Sequence, residues 1–222
     1  MRSVTNAACP QRPSANLSRE RRAALPAQRN RSVEEDSSPG PYLCPMFPPR
    51  TVRLKDGRNA TIRLATPDDA EGGMALTRAV TAERVFVMNE GLVLTPEEVR
   101  ADLSSPETDE KLVLVAETDG EVVGQTGVHR GKYSKNRHTA ELWIVVRKDW
   151  RGAGLGEALL RADMEWARSV GIEKLKLGVF ASNARALHLY RKLGFVEEGR
   201  LKDELTIEGK RVDDIQMALW LA

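Results

Sequence analysis

Cysteine is scarce in this 222-residue chain. The two present, Cys9 and Cys44, both fall within the first fifty residues. Residues 51–222 therefore hold no disulfide and no thiol nucleophile, which excludes a small secreted disulfide scaffold. Histidine is almost as rare. His129, His138 and His188 are scattered with no cysteine nearby, so no metal-binding spacing arises. No apolar run approaches the ~18 residues of a membrane helix, and no apolar segment follows Met1 as in a secretory signal. No Gly-x-Ser-x-Gly elbow is present to support a serine hydrolase. The formal charge of +2 is unevenly spread: residues 1–50 hold eight arginines against four acids, and the remainder holds 26 basic against 28 acidic residues. The part able to fold is thus not basic, and its charge gives no argument for nucleic acid as a partner.

Eight of the eleven prolines also lie in residues 1–50. A basic, proline-rich, apolar-poor segment cannot bury enough surface to fold. Residues 1–50 are therefore expected to be a disordered extension, and residues 59–222 to form one domain. Residues 1–31 are arginine-rich with one acid, which weakly resembles an organelle transit peptide, but the prolines count against it. A plain extension or an over-long start is the expectation, with Met46 as the true start and a cytoplasmic location.

Beyond the tail, periodicity and turn chemistry lay out a series of elements. Lys55-Asp56-Gly57-Arg58 reads as a turn, and Ala60 to Leu64 alternates as a strand. Thr66-Pro67-Asp68-Asp69 carries a capping hydroxyl, a proline at the first position and first-turn acids, so it predicts a helix to about Val80. Thr95-Pro96-Glu97-Glu98 repeats that signature, and Arg84 to Leu94 between them reads as irregular. Lys111 to Glu117 and Glu121 to Val128 are strands joined by Asp119-Gly120, a strong hairpin turn. Thr139 to Val146 is the next strand. Leu155, Leu159, Ala162, Trp166 and Val170 share one helical face that Gly171 ends. Leu175, Leu177 and Val179 alternate as a strand. Asn183 caps a helix with Ala186, Leu187, Tyr190 and Leu193 inward, and Gly194 ends it. Phe195 to about Leu201 and Val212 to Leu221 read as a final hairpin turning at Glu208-Gly209-Lys210. The expected fold is α/β, with a mixed sheet of about six to seven strands flanked by about four helices, in the order β α α β β β α β α β β.

The stretch Val146 to Leu160, V-R-K-D-W-R-G-A-G-L-G-E-A-L-L, passes from a strand into a helix through Gly152, Gly154 and Gly156. Backbone N–H groups at such a helix start, at the positive end of the helix dipole, suit a phosphate. The nucleoside-triphosphate loop requires Lys-Ser or Lys-Thr after the glycines, and none follows. The dinucleotide fingerprint needs a third glycine where Glu157 stands. That spacing disfavours a dinucleotide oxidoreductase.

The remaining pattern, [RQ]-x-x-G-x-[GA], is matched by Arg151, Gly154 and Gly156, and it resembles the acyl-CoA loop of the GNAT superfamily of N-acetyltransferases. A second and more specific match lies downstream. Asn183, Ala186, Leu189, Tyr190, Lys192, Gly194 and Phe195 resemble the family's N-x-x-A-x-x-[LF]-Y-x-[KR]-x-G-F. The predicted element order is also that of the GNAT fold, and the resemblance covers about residues 59–222.

The resemblance implies acetyl-CoA as co-substrate, with no metal. It implies that backbone groups of Arg151, Gly152, Ala153, Gly154, Leu155, Gly156 and Glu157 hold the pyrophosphate. Ile144, Val145 and Val146 would bond the pantetheine arm from a strand that splays from its neighbour, and Asn183 would border the cofactor besides capping its helix. Tyr190 would protonate the departing thiolate, a role open to a phenol whose ordinary pKa is about 10. Glu141 would draw the proton from the amine. Some family members place that acid five residues before the motif asparagine, but here the residue is Gly178. The acceptor would be a primary amine on a small molecule or a protein N-terminus, with no nucleic acid and no membrane involved and a homodimer left open. Its groove would be built from about 80–98, 129–138 and 197–213, where the acids of the last hairpin read most simply as a solvated face. The alternative is a catalytically silent GNAT-fold module that binds acyl-CoA as a sensor.

Overall fold

The computed structural model describes residues 47–84 and 94–221. The expectations for residues 1–46, including the start at Met46, and for the irregular stretch at 85–93 lie outside them. The described chain forms one eight-stranded sheet with four helices. In chain order these are β1 (Arg50–Arg53), β2 (Asn59–Leu64), α1 (Ala70–Thr81), α2 (Pro96–Leu103), β3 (Lys111–Thr118), β4 (Glu121–Arg130), β5 (Thr139–Val146), α3 (Leu155–Ser169), β6 (Lys174–Phe180), α4 (Ala184–Lys192), β7 (Val196–Ile207) and β8 (Lys210–Trp220). Across the sheet the order is β1-β2-β3-β4-β5-β6-β8-β7. Only β5 and β6 run parallel.

The strand absent from the sequence reading is β1. Its four residues, Arg-Thr-Val-Arg, show no period, and the strand exists because Arg50–Arg53 ladder onto Ile62–Asn59 across the Lys55–Arg58 turn. The folded body reaches further toward the N-terminus than residue 59, since Phe47 and Leu54 are both buried in the main core. The last hairpin is also longer than expected: β7 continues to Ile207, with register shifts between Leu201 and Leu205. Its turn uses positive φ at Glu208 and Gly209.

Local signals act as the chemistry requires. Thr95 and Glu98 satisfy each other's backbone N–H groups and open α2. The Thr66 signature first forms a short 3-10 turn over Pro67–Asp69, and α1 follows from Ala70. Asp69 is occupied on both sides: it accepts from Thr66 and receives Arg63 through two nitrogens. One sheet face packs on α3 and α4 through Leu112, Leu114, Leu155, Leu159, Leu160, Leu175 and Met217. The other packs on α1 and α2 through Leu76, Val80, Leu103, Val113, Val115 and Val145. Each large aliphatic side chain so buried stabilises the fold by about 1.5–3 kcal/mol.

Candidate active site

Strands β5 and β6 pair only over Thr139↔Lys174, Ala140↔Leu175 and Glu141↔Lys176. Both then continue, β5 to Val146 and β6 to Phe180, without pairing. β4 still covers the other edge of β5 as far as Val146. On the edge of β5 that faces β6, the backbone groups of Leu142 and Ile144 and the N–H of Val146 are therefore free for another partner. A cavity of about 1350 Å³ follows this opening, lined by parts of the glycine loop, α1, β5, β6, β8 and α4. The expected splay of the strand bearing Ile144, Val145 and Val146 is present, and all three residues line the cavity.

The glycine loop is held from outside. The Lys55 backbone N–H donates to the Ala153 carbonyl at 3.0 Å. The Arg151 side chain donates to the Val146 carbonyl at 2.8 Å and clasps Glu83 at 2.9 and 2.6 Å. Glu83 is held below the ordinary carboxylate range, chiefly by that guanidinium. Arg151 thus contributes through its side chain by fixing the loop against the segment just after α1. Gly154 has φ of +101° as the residue before α3, a conformation that favours glycine. The first N–H groups of α3, from Leu155 through Gly156 and Glu157, have no intrahelical acceptor, as at any helix start. The Glu157 carboxylate beside them is neutralised by Lys192 at 2.5 Å and by Arg161 at 2.9 Å, which lower its pKa. Gly152 and Gly154 line the cavity. Leu155 and Ala153 turn their side chains into the core.

Across the opening, Asn183 Oδ1 accepts from the Ala186 N–H at 3.1 Å, so the cap forms as read, and the residue also lines the cavity. Tyr190, about two turns further along α4 in the same wall, is 7% exposed and packs its ring 5.8 Å from that of Phe195. Burial pushes the phenol up to about 12, so its proton stays on at neutral pH. No hydrogen bond occupies its hydroxyl among the described residues. Glu141 stands at the last paired position before the strands part, exposed, with His129 beside it on β4 and Lys176 on β6.

The structure adds residues that sequence reasoning passed over. His129 joins the cavity wall as the cross-strand neighbour of Glu141, and loss of water pushes its imidazole below the ordinary range. Trp143 lies across Gly127 on β4; a Cβ there would meet its Nε1 at 2.5 Å. The acids of the last hairpin are not a uniformly solvated face. Asp213 pairs with Arg200, but its neighbour Asp214 is buried in the cavity wall. Alternation with Ile215 and Met217 placed Asp214 and Gln216 together on one face; only the folded sheet shows that this face is covered.

These features match known proteins. The acetyltransferase (GNAT) family model matches residues 86–195. YwnH of Bacillus subtilis (strain 168), which carries a provisional name as a phosphinothricin acetyltransferase, is 33% identical over 158 residues, 69% of this chain and 94% of YwnH. The chain belongs to the GNAT acetyltransferase family. The crystal structure of a GNAT acetyltransferase from Streptococcus pneumoniae is 35% identical, with a TM-score of 0.67 over 72% of this chain and 98% of that one. The L-amino acid N-acetyltransferase AaaT of Escherichia coli (strain K12) is 35% identical over 109 residues, 47% of this chain and 65% of AaaT. In this GNAT domain, therefore, the glycine loop, the β5–β6 opening and Tyr190 occupy one continuous cavity.

Proposed function

We propose that this GNAT domain transfers an acetyl group from acetyl-CoA to the primary amine of a small molecule, by direct attack in a ternary complex. The observation that carries the reading is the parting of β5 from β6 beyond Glu141 and Lys176, with Tyr190 in the wall of the opening. The residues present fit acetyl-CoA. The loop from Arg151 to Glu157 offers backbone donors for a pyrophosphate. The free edge at Ile144 and the Val146 N–H offers donors and acceptors for the amides of the pantetheine arm, while Val145 turns its backbone groups to β4, and Asn183 borders the same space. Lys55, Lys148 and Lys192 add positive charge around the loop.

Acetyl-CoA supplies an acyl group already activated as a thioester. Glu141 takes a proton from the acceptor ammonium, directly or through water, and so releases a nucleophilic amine. The C–N bond forms as the C–S bond breaks, the nitrogen sheds its second proton to solvent to leave the neutral amide, and the Tyr190 hydroxyl gives its proton to the departing sulfur. A neutral phenol with an uncommitted hydroxyl suits that donation, and solvent restores its proton. Residues 51–222 contain no cysteine to carry an acyl group, which supports direct attack.

The test is a panel of small primary amines incubated with acetyl-CoA and the full chain, read by thiol release and by product mass. A product heavier by one acetyl group, with one thiol released per product, is expected. Thiol release that never depends on an amine would refute the reading.

A further inference from the structure

Resting on the acetyl-transfer reading, a further inference concerns the acceptor. The cavity differs electrically between its two ends. The lysines and arginines that line it, Lys55, Lys148, Arg151, Arg185 and Lys192, all belong to the glycine loop, its flanks or α4. Among the described residues, the lining contributed by α1, α2, β4, β5, β6 and β8 contains no lysine or arginine. The charged groups of that end are acids. Asp69 and Asp102 already hold Arg63 and Lys111. Glu141 and Asp214 have no such cation in an ion pair among the described residues.

Asp214 is the informative one. It is 4% exposed. Its Oδ2 accepts from Gln216 Nε2 at 2.5 Å and the Val179 backbone N–H points toward the carboxylate, while Oδ1 is buried with no well-aligned hydrogen bond among the described residues. The carboxylate lies over Gly178, just past the point where β5 and β6 part; a Cβ at 178 would stand 3.1 Å from Oδ2 and 3.4 Å from Oδ1. Any side chain at 178 would compete for that space. A buried carboxylate without a counter-charge is unfavourable. Burial, reinforced by the charge of Glu204, pushes Asp214 above the ordinary carboxylate range. An ammonium brought alongside would offset that cost. Trp143, 39% exposed across Gly127, offers a flat wall on which a methylene chain or a cation can rest.

We infer that the acceptor is a cationic alkylamine with no carboxylate beside its reacting nitrogen, and that Asp214 holds its ammonium group. An α-amino acid, the acceptor class in the name of AaaT, would bring a carboxylate toward Asp214 and Glu141, where no arginine or lysine lines the cavity; Lys176 stands beside Glu141 on β6 but outside that lining.

The test uses n-pentylamine and L-norleucine, which differ only by the carboxylate next to the amine. Each is titrated by calorimetry into the full chain loaded with CoA. Pentylamine should bind at least tenfold tighter than norleucine. Asp214→Asn, which keeps the shape and removes the charge, should weaken pentylamine tenfold or more and leave CoA affinity unchanged. Equal or tighter binding of norleucine, no binding of either amine, or undiminished pentylamine binding by the variant would overturn the inference. Should Asp214→Asn fail to fold by thermal melt, the wild-type comparison decides alone. Because binding is read without turnover, a lack of thiol release would count against the acetyl-transfer reading and not against this one.

Discussion

The Thr126 hydroxyl lies 2.7 Å from the Trp143 carbonyl oxygen and 2.7 Å from Oδ2 of Asp163. A hydroxyl has one hydrogen and a carbonyl can only accept, so both short contacts are satisfied together when Asp163 is protonated and donates to Thr126. Asp163 is fully buried in α3, and burial pushes it up to about 8 against the opposing Thr126 bond. The relay fastens α3, which carries the glycine loop at its start, to β5, whose free edge lines the cavity.

That arrangement gives a pH dependence of known sign. An unfolded aspartate titrates near about 4, so between about 4 and about 8 the folded chain binds a proton that the unfolded chain lacks. This contribution makes stability fall as pH rises through that window and level off above it. Asp163→Asn, a neutral isostere, should remove the slope: close to wild type at about pH 5 and more heat-stable than wild type by several degrees at about pH 8. Parallel melting curves for the two proteins across that range would show that Asp163 is charged in the folded state.

Tyr190→Phe deletes a hydroxyl and keeps the ring against Phe195. It should lower kcat by about 10²-fold or more, with the melting temperature and CoA affinity little changed. A variant with wild-type kcat would leave Tyr190 a packing residue only.

Glu141→Gln should depress turnover at neutral pH and recover part of it at high pH, where more of the amine is already deprotonated. Its pH–rate profile should therefore differ in shape from that of wild type. Superimposable profiles would assign deprotonation to another group, for which His129 across the strand is placed.

The N-terminal boundary can be located by two truncations. Phe47 is 6% exposed, its N–H donates to Glu107 at 2.8 Å, and the Arg50 guanidinium lies 4.8 Å over its ring. A chain beginning at Met46 keeps these contacts and should melt within a few degrees of full length. A chain beginning at Asn59 loses Phe47, Leu54, β1 and the Lys55 bond to the glycine loop. It should lose at least the roughly 3–5 kcal/mol expected for emptying one buried phenylalanine site, and bind CoA more weakly. Denaturant melts and CoA calorimetry on both chains check this, and a stable Asn59 chain would confine the working domain to residues 59–222.

Local chemistry in the sequence was enough to determine most elements. Capping at Thr95, the Asp119-Gly120 turn, the apolar stripe of α3 and the Gly171 and Gly194 stops are decided by neighbours a few residues away. The glycine loop, Asn183 and Tyr190 were legible for the same reason, since each belongs to a short motif whose spacing is carried by one strand–helix unit. What only the tertiary structure decided depends on residues far apart in the chain. β1 exists because β2 offers it a ladder, and Phe47 is buried because it joins the main core, with its N–H on Glu107 sixty residues away. Arg151 finds Glu83 68 residues away. Asp214, one acid among several in an exposed-looking hairpin, becomes a buried cavity group because β8 pairs with β6 at Gly178. Burial and charge pairing are properties of the surroundings, and a sequence states the surroundings of a side chain only along the chain, not across the sheet.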